Sequence, residues 1–202
     1  GILVATLLFA DLQNKYVHIS MLVMIWLAGV GIADDWLKLT VSSRNSGGRD
    51  GLKKWEKLLF QFGIGLVAAY YIWVLAGTND AAHALVLPLQ RTYEPHTETL
   101  VLENGVIILG FWTFLVMVAV MIAGTSNAVN ITDGMDGLAP GTVAIASLGI
   151  LALAYISGSA ERSQTMLFPW IDGSSELTVV AAAMAGACLG FLWFNCAPAS
   201  VF

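Results

Sequence analysis

Two groups of residues in this 202-residue chain have the types and spacing that metal-assisted chemistry on phosphates requires. The first is Asn127-Ala-Val-Asn-Ile-Thr-Asp-Gly-Met-Asp-Gly-Leu138, which sets the carboxylates Asp133 and Asp136 beside Asn127, Asn130 and Thr132. At ~4 Å and an effective dielectric near 20, two such charges repel by about 4 kcal/mol. A cation would relieve that. The amides suit a phosphate, a ribose or the water shell of a metal, and Gly134 and Gly137 let a ligand approach the backbone. The plainer reading is an interhelical turn, with Asp133 or Thr132 capping the next helix and the glycines shaping the bend.

The second group is Asp34-Asp35-Trp-Leu-Lys38. Successive helical positions point about 100° apart, so both acids reach one ligand only near a helix end. The first complete apolar span is expected to stop there. The competing reading is a local ion pair with Lys38, worth a few tenths of a kcal/mol. Lys53, Lys54 and Lys57 follow, either as snorkelling side chains or as point charges for a polyanionic substrate. Asn195 closes the last span and could bond a phosphate or sugar. Phe202 could stack on a flat ring, or could simply anchor at the membrane interface.

Acids, lysines and amides of this kind suggest phosphoryl transfer assisted by Mg2+, which takes oxygen ligands and is usually held by one or two carboxylates together with substrate phosphates. Asp35 and Asp133 are the candidate metal ligands.

The elements that must carry these groups are membrane helices. The chain is 57% hydrophobic and 11% charged, outside the range of a soluble domain. Its mean hydropathy is +0.76. Five complete spans are expected, at 18–33, 58–77, 105–124, 138–157 and 177–195, each near the length a tilted helix needs. Their interiors hold no charged residue, and the bilayer leaves the helix as the workable backbone. The fold class is therefore all-α, a polytopic transmembrane bundle of five full spans plus a partial one at the N-terminus, forming a single domain over 1–202.

Of the nine basic residues, six lie from Lys38 to Lys57, so the connection 37–57 belongs in the cytoplasm. The connections 78–104 and 158–176, with only Arg91 and Arg162, belong outside. Counting spans then brings Asp34-Asp35, the 125–138 loop and the tail after Asn195 to one membrane face. Residues remote in sequence meet there as a composite site.

Several features carry no chemistry. His18, His83 and His96 read as interfacial residues, 78–104 as a hairpin or interfacial helix, and Gly186 with Gly190 as a helix-packing pair. Cys188 and Cys196 read as packing residues. The 42–51 stretch is a glycine-rich basic loop that could attract anionic lipid. The opening apolar run, Ile2 to Ala10, is about half a span, and Val201-Phe202 ends without a polar tail. Truncation at both ends is expected.

The two blocks above, together with Phe191-Leu-Trp-Phe-Asn195-x-x-Pro198-Ala-x-Val-Phe202, resemble the phospho-N-acetylmuramoyl-pentapeptide transferases, within the polyprenyl-phosphate N-acetylhexosamine-1-phosphate transferase superfamily. The resemblance runs through essentially the whole chain. It implies part of a ten-helix bacterial inner-membrane enzyme whose cytoplasmic cleft uses Mg2+ to transfer phospho-MurNAc-pentapeptide from UDP-MurNAc-pentapeptide to undecaprenyl phosphate, giving lipid I and UMP. Implied partners are those two substrates and membrane lipids, with a homodimer open and no nucleic acid. Asp34 and Asp35 would lie near the lipid phosphate, Asp34 as general base, and Asp133 would join them in catalysis. Asn130, Asp133 and Asp136 would form the central polar site, and Lys38, Lys57, Asn127 and Asn195 would line the cleft. The backbone around Gly134, Met135 and Asp136 would help to hold the uridine, with Phe202 against the uracil.

The family continues past the position of Phe202 with Met-Gly-Asp, whose Asp is a principal magnesium ligand, so these 202 residues alone are expected to be inactive. The nearest alternative is a sister enzyme using UDP-GlcNAc. A more distant one is an ion-coupled transporter, which would place acids near the bilayer midplane.

Overall fold

The structure is a computed structural model that describes residues 1–42, 51–87, 89–94 and 100–196. Seven α-helices occur among them: α1 (Ile2–Phe9), α2 (Lys15–Ser42), α3 (Lys54–Ala76), α4 (Phe111–Thr132), α5 (Leu138–Ser157), α6 (Ala160–Met166) and α7 (Leu177–Asn195). Five helices are long and apolar enough to cross a membrane, namely α2 through Thr40, α3, α4, α5 and the stretch from Ser174 to Asn195. This is the all-α membrane bundle expected from composition.

Two antiparallel helix pairs form the bundle, α3 with α4 and α5 with α7. Small residues let the backbones approach, as membrane helices require when lipid is as apolar as leucine. In the first pair a Cβ on Gly65 would lie 2.8 Å from the Ala119 Cα, and Ala68, Ala69, Ala119 and Ala123 are buried. In the second, Ala144, Ser147, Ala154, Ala181 and Ala185 are buried. Helix α2 lies against α3, and α1 against α7. Gly186 and Gly190, expected to pack a helix, are exposed, and a Cβ on either would meet nothing within 4 Å among the described residues. Close packing falls to Gly65, and to Gly158 beside Ser175.

Helix lengths differ from expectation where polar residues begin. Helix α2 does not end at Asp34-Asp35 but continues to Ser42, and α4 extends through the amide cluster to Thr132. An α-helix satisfies its own backbone and need not stop where apolar side chains do. The Thr125 and Thr132 hydroxyls donate back to the Met121 and Ala128 carbonyls, 2.7 and 2.8 Å away. Most of the expected 125–138 loop is thus helix, leaving residues 133–137 as the connection.

Interhelical hydrogen bonds identify two ends. At one, Asn14 Nδ2 donates to the Gly173 carbonyl, Asn79 Nδ2 to the Trp170 carbonyl, and the Trp170 N–H to the Tyr93 hydroxyl. This end holds the two-residue strands β1 (Ala84–Leu85) and β2 (Ile107–Ile108), paired antiparallel. The 78–104 stretch therefore contributes to a hairpin. His83, expected as an interfacial residue, is buried within the protein. It is 4% exposed, with its ring stacked on Trp73 at 3.8 Å between centroids. Both cysteines are free thiols, Cys188 half-buried and Cys196 exposed.

Candidate functional site

At the opposite end, the C-terminal part of α2, the start of α3 and the C-terminal part of α4 enclose a cavity of about 300 Å³. Asp34, Asp35 and Lys38 reach it from α2, Lys57 from α3, and Asn127, Asn130 and Asp133 from α4. On α4 the spacing i, i+3, i+6 keeps the last three on one face. Ala139 of α5 completes the lining on that side.

Asp34 is the hub. Its side chain is 7% exposed, and its Oδ2 pairs with Lys38 Nζ at 2.7 Å and with Lys57 Nζ at 2.6 Å. Its Oδ1 accepts the Leu52 N–H at 2.9 Å. Gly51, at φ +87°, permits that approach, since a Cβ there would lie 2.7 Å from Asp34 Oδ1. The general base expected at Asp34 is thus a carboxylate whose oxygens are already engaged. Charge-assisted pairs of this kind hold geometry, here that of two lysines.

Asp35 points elsewhere. Its side chain is 73% exposed, with Oδ1 3.0 Å from Lys38 Nζ. The local ion pair is therefore present, and Lys38 bridges both acids. Each lysine has three N–H donors, so pairing with Asp34 does not exhaust it. Lys53 caps α3, its N–H donating to the Glu56 carboxylate at 2.9 Å.

Asp133 closes α4, its N–H donating to the Val129 carbonyl. Neither Asp133 nor Thr132 caps α5, whose N-cap is Gly137 at φ +79°. The turn reading of this stretch is therefore not realised as a side-chain cap.

Other expected site residues stand away from the cavity lining. Asn195 is not among the residues lining this cavity. It is 7% exposed, and its Oδ1 accepts the Gly137 N–H at 2.9 Å, tying the end of α7 to the 133–137 connection. Gly134, Met135 and Asp136 lie in that connection, with Met135 67% exposed. Phe202 lies outside the described residues.

Two polar residues of the cavity lining were not expected, Gln61 and Ser126. Gln61 is 7% exposed. Its Nε2 donates to Ser126 Oγ at 3.1 Å and its Oε1 accepts from Asn127 Nδ2 at 2.7 Å. The signal was available: Gln61 is a lone amide in an apolar span, one helical turn after Lys57.

The walls of the cavity differ in character. Lysine donors come from α2 and α3, while α4 offers Asn130 and Asp133, with Asp35 at the rim. Among the described residues no three His, Cys, Asp or Glu side chains group as a metal site. The donors present are hard oxygens, which fit Mg2+ when one or two carboxylates share it with substrate phosphates.

Residues 17–202 match the model of the family described as glycosyl transferase family 4. The chain is 36% identical over all its 202 residues to a phospho-N-acetylmuramoyl-pentapeptide-transferase of Neisseria meningitidis serogroup C (strain 053442), covering 51% of that protein. The same identity and coverage hold for the protein of that name from Neisseria gonorrhoeae (strain NCCP11945). The chain spans about half the length of these curated relatives.

Proposed function

The chain belongs to glycosyl transferase family 4, and on that premise we propose that it supplies the catalytic cavity of a phospho-N-acetylmuramoyl-pentapeptide transferase of peptidoglycan synthesis. In this reading the donor is UDP-MurNAc-pentapeptide and the acceptor undecaprenyl phosphate. The net exchange forms a bond between an oxygen of the lipid phosphate and the sugar-bearing phosphorus, and breaks the bond from that phosphorus to UMP. The enzyme sits in the bacterial inner membrane with the cavity facing the cytoplasm, the side assigned by the basic residues around 38–57.

The observation that carries the proposal is the convergence of Asp34, Asp35, Lys38, Lys57, Asn127, Asn130 and Asp133, from three helices, on one 300 Å³ cavity. Phosphoryl transfer asks little covalent chemistry of a protein. Catalysis is positioning together with neutralisation of oxygen charge. Asp34 sets Lys38 and Lys57 where their remaining N–H groups meet phosphate oxygens. Asp35 and Asp133 are the residues that would hold Mg2+, which when bound supplies further neutralisation of the phosphate oxygens. Gly134, Met135 and Asp136 in the neighbouring connection contact the uridine, and Asn195 acts by holding that connection.

The test is transfer by the full-length protein in membranes, given undecaprenyl phosphate, Mg2+ and either labelled UDP-MurNAc-pentapeptide or labelled UDP-GlcNAc. Labelled lipid from the first donor with release of UMP, abolished by EDTA, is the expected result. Label from UDP-GlcNAc alone would assign the sister reaction, and label from neither would overturn the proposal.

A further inference from the structure

We propose that Gln61 is a positioning residue which fixes the amide of Asn127 so that the cavity meets only its oxygen. The inference rests on the transferase reading and assigns a residue that reading does not use. Asn127 Nδ2 has two hydrogens and two acceptors, Gln61 Oε1 at 2.7 Å and the Ala123 carbonyl at 2.7 Å. Both N–H donors are consumed, which leaves Oδ1 as the free group.

The alternative amide orientation fails on geometry. It would set Asn127 Oδ1 2.7 Å from the Ala123 carbonyl oxygen, a backbone acceptor that cannot turn over. Gln61 extends the same polarity to the neighbouring helix. With Oε1 facing Asn127, its own Nε2 points at Ser126 Oγ, 3.1 Å away. Gln61 is 7% exposed and sits on α3, so the chain of bonds also joins α3 to α4 beneath the cavity.

An acceptor at this place cannot serve phosphate oxygens, which are acceptors themselves. Asn127 therefore takes either a hydroxyl of the nucleotide-sugar or the metal, met directly or through its water. Of the ligands that the amide cluster admits on sequence grounds, direct phosphate contact is removed for Asn127. Lys38 and Lys57 remain for the phosphates, which separates the roles of the two walls.

Gln61→Leu removes the acceptor from α3 and leaves one Asn127 N–H without its partner, so the side chain turns to find another. Gln61→Glu keeps an acceptor for Asn127 and can accept from the Ser126 hydroxyl. In the full-length protein, Gln61→Leu is expected to lower kcat/KM at least about tenfold, a loss on the scale of one unsatisfied buried group. Gln61→Glu should lose less. In an Asn127→Ala background Gln61→Leu should add nothing, because the residue through which it acts is gone.

The same cycle is then run on equilibrium binding of Mn2+ and of UMP. Coupling seen with Mn2+ assigns the partner of the Asn127 oxygen to the metal, met directly or through its water, and coupling with UMP assigns it to the nucleotide. Effects of the two substitutions that simply add in turnover and in both binding measurements, or a Gln61→Leu protein that matches wild type, would overturn the inference. Coupled binding without transfer from UDP-MurNAc-pentapeptide would instead sink the transferase reading and leave the positioning role intact.

Discussion

At the scale of single residues, Asp34 decides the most. Three donors converge on its two oxygens, from Lys38, Lys57 and the Leu52 N–H. Asp34→Asn removes the charge that holds both lysines. Transfer is expected to fall by at least about two orders of magnitude, the size of a lost electrostatic contact in a preorganised site, and the lysine Nζ atoms to become more reactive to acylating reagents. A variant with near-normal turnover would remove Asp34 from its central place. Asn195 gives a second case. Asn195→Ala leaves the Gly137 N–H without its 2.9 Å partner and is expected to cost about 1 kcal/mol of stability. Thermal unfolding in detergent reads that as a lower Tm, while an unchanged Tm would mean water replaces the bond. The acids, lysines and amides were legible as residue types because charge is rare in an apolar chain. The Leu52 N–H was not, since a backbone donor brought in by a glycine at φ +87° leaves no side-chain mark in the sequence. Nor was the division of labour between Asp34 and Asp35, adjacent in sequence but 7% and 73% exposed.

At the scale of elements, hydropathy located five spans and the described residues hold five; the last two fall where expected, at 138–157 and 177–195, while the ends of the first three lie elsewhere. Hydropathy reports where apolar side chains stop, whereas helices α2 and α4 run on through Asp34-Asp35 and the Asn127 cluster. The site is consequently built on helix rather than on a loop, which holds side chains more firmly. The close backbone approach of Gly65 to Ala119 lies one turn beyond Gln61 and supports the same interface. Gly65→Val is expected to push α3 from α4, cost about 1–3 kcal/mol as overpacking does, and lower transfer through displacement of Gln61. Thermal unfolding and turnover measured on one preparation check both effects. A variant as stable and active as wild type would show that the helices part without consequence. The GxxxG-like pair was legible as a motif, yet a Cβ on Gly186 or Gly190 would meet nothing within 4 Å among the described residues. Spacing reveals a surface suited to packing and does not say what packs there.

At the scale of the whole molecule, two ends with different chemistry face away from each other. One carries Asn14, Asn79, Tyr93 and the short hairpin, and the other the lysine and carboxylate cavity. The basic residues of 38–57 carry the proposed orientation, with the cavity toward the cytoplasm. Cysteines introduced at Lys53 and at Glu161, in a background lacking Cys188 and Cys196, are expected to label oppositely with an impermeant maleimide in intact cells. Glu161→Cys should react, and Lys53→Cys should react only after the membrane is opened. The reverse pattern would turn the molecule over and place the cavity outside.

Helix α2 spans this distance with attachments concentrated near its ends. Asn14 ties the start to Gly173, Asp34 ties the far part to Lys57, and Trp26 Nε1 reaches the Phe60 carbonyl between them at 3.2 Å. A ligand filling the cavity touches α2, α3 and α4 together and adds contacts between them. Amide protons in the later turns of α2 should then exchange with deuterium more slowly on saturation, while those in the α5–α7 pair change little, so occupancy becomes readable without any turnover.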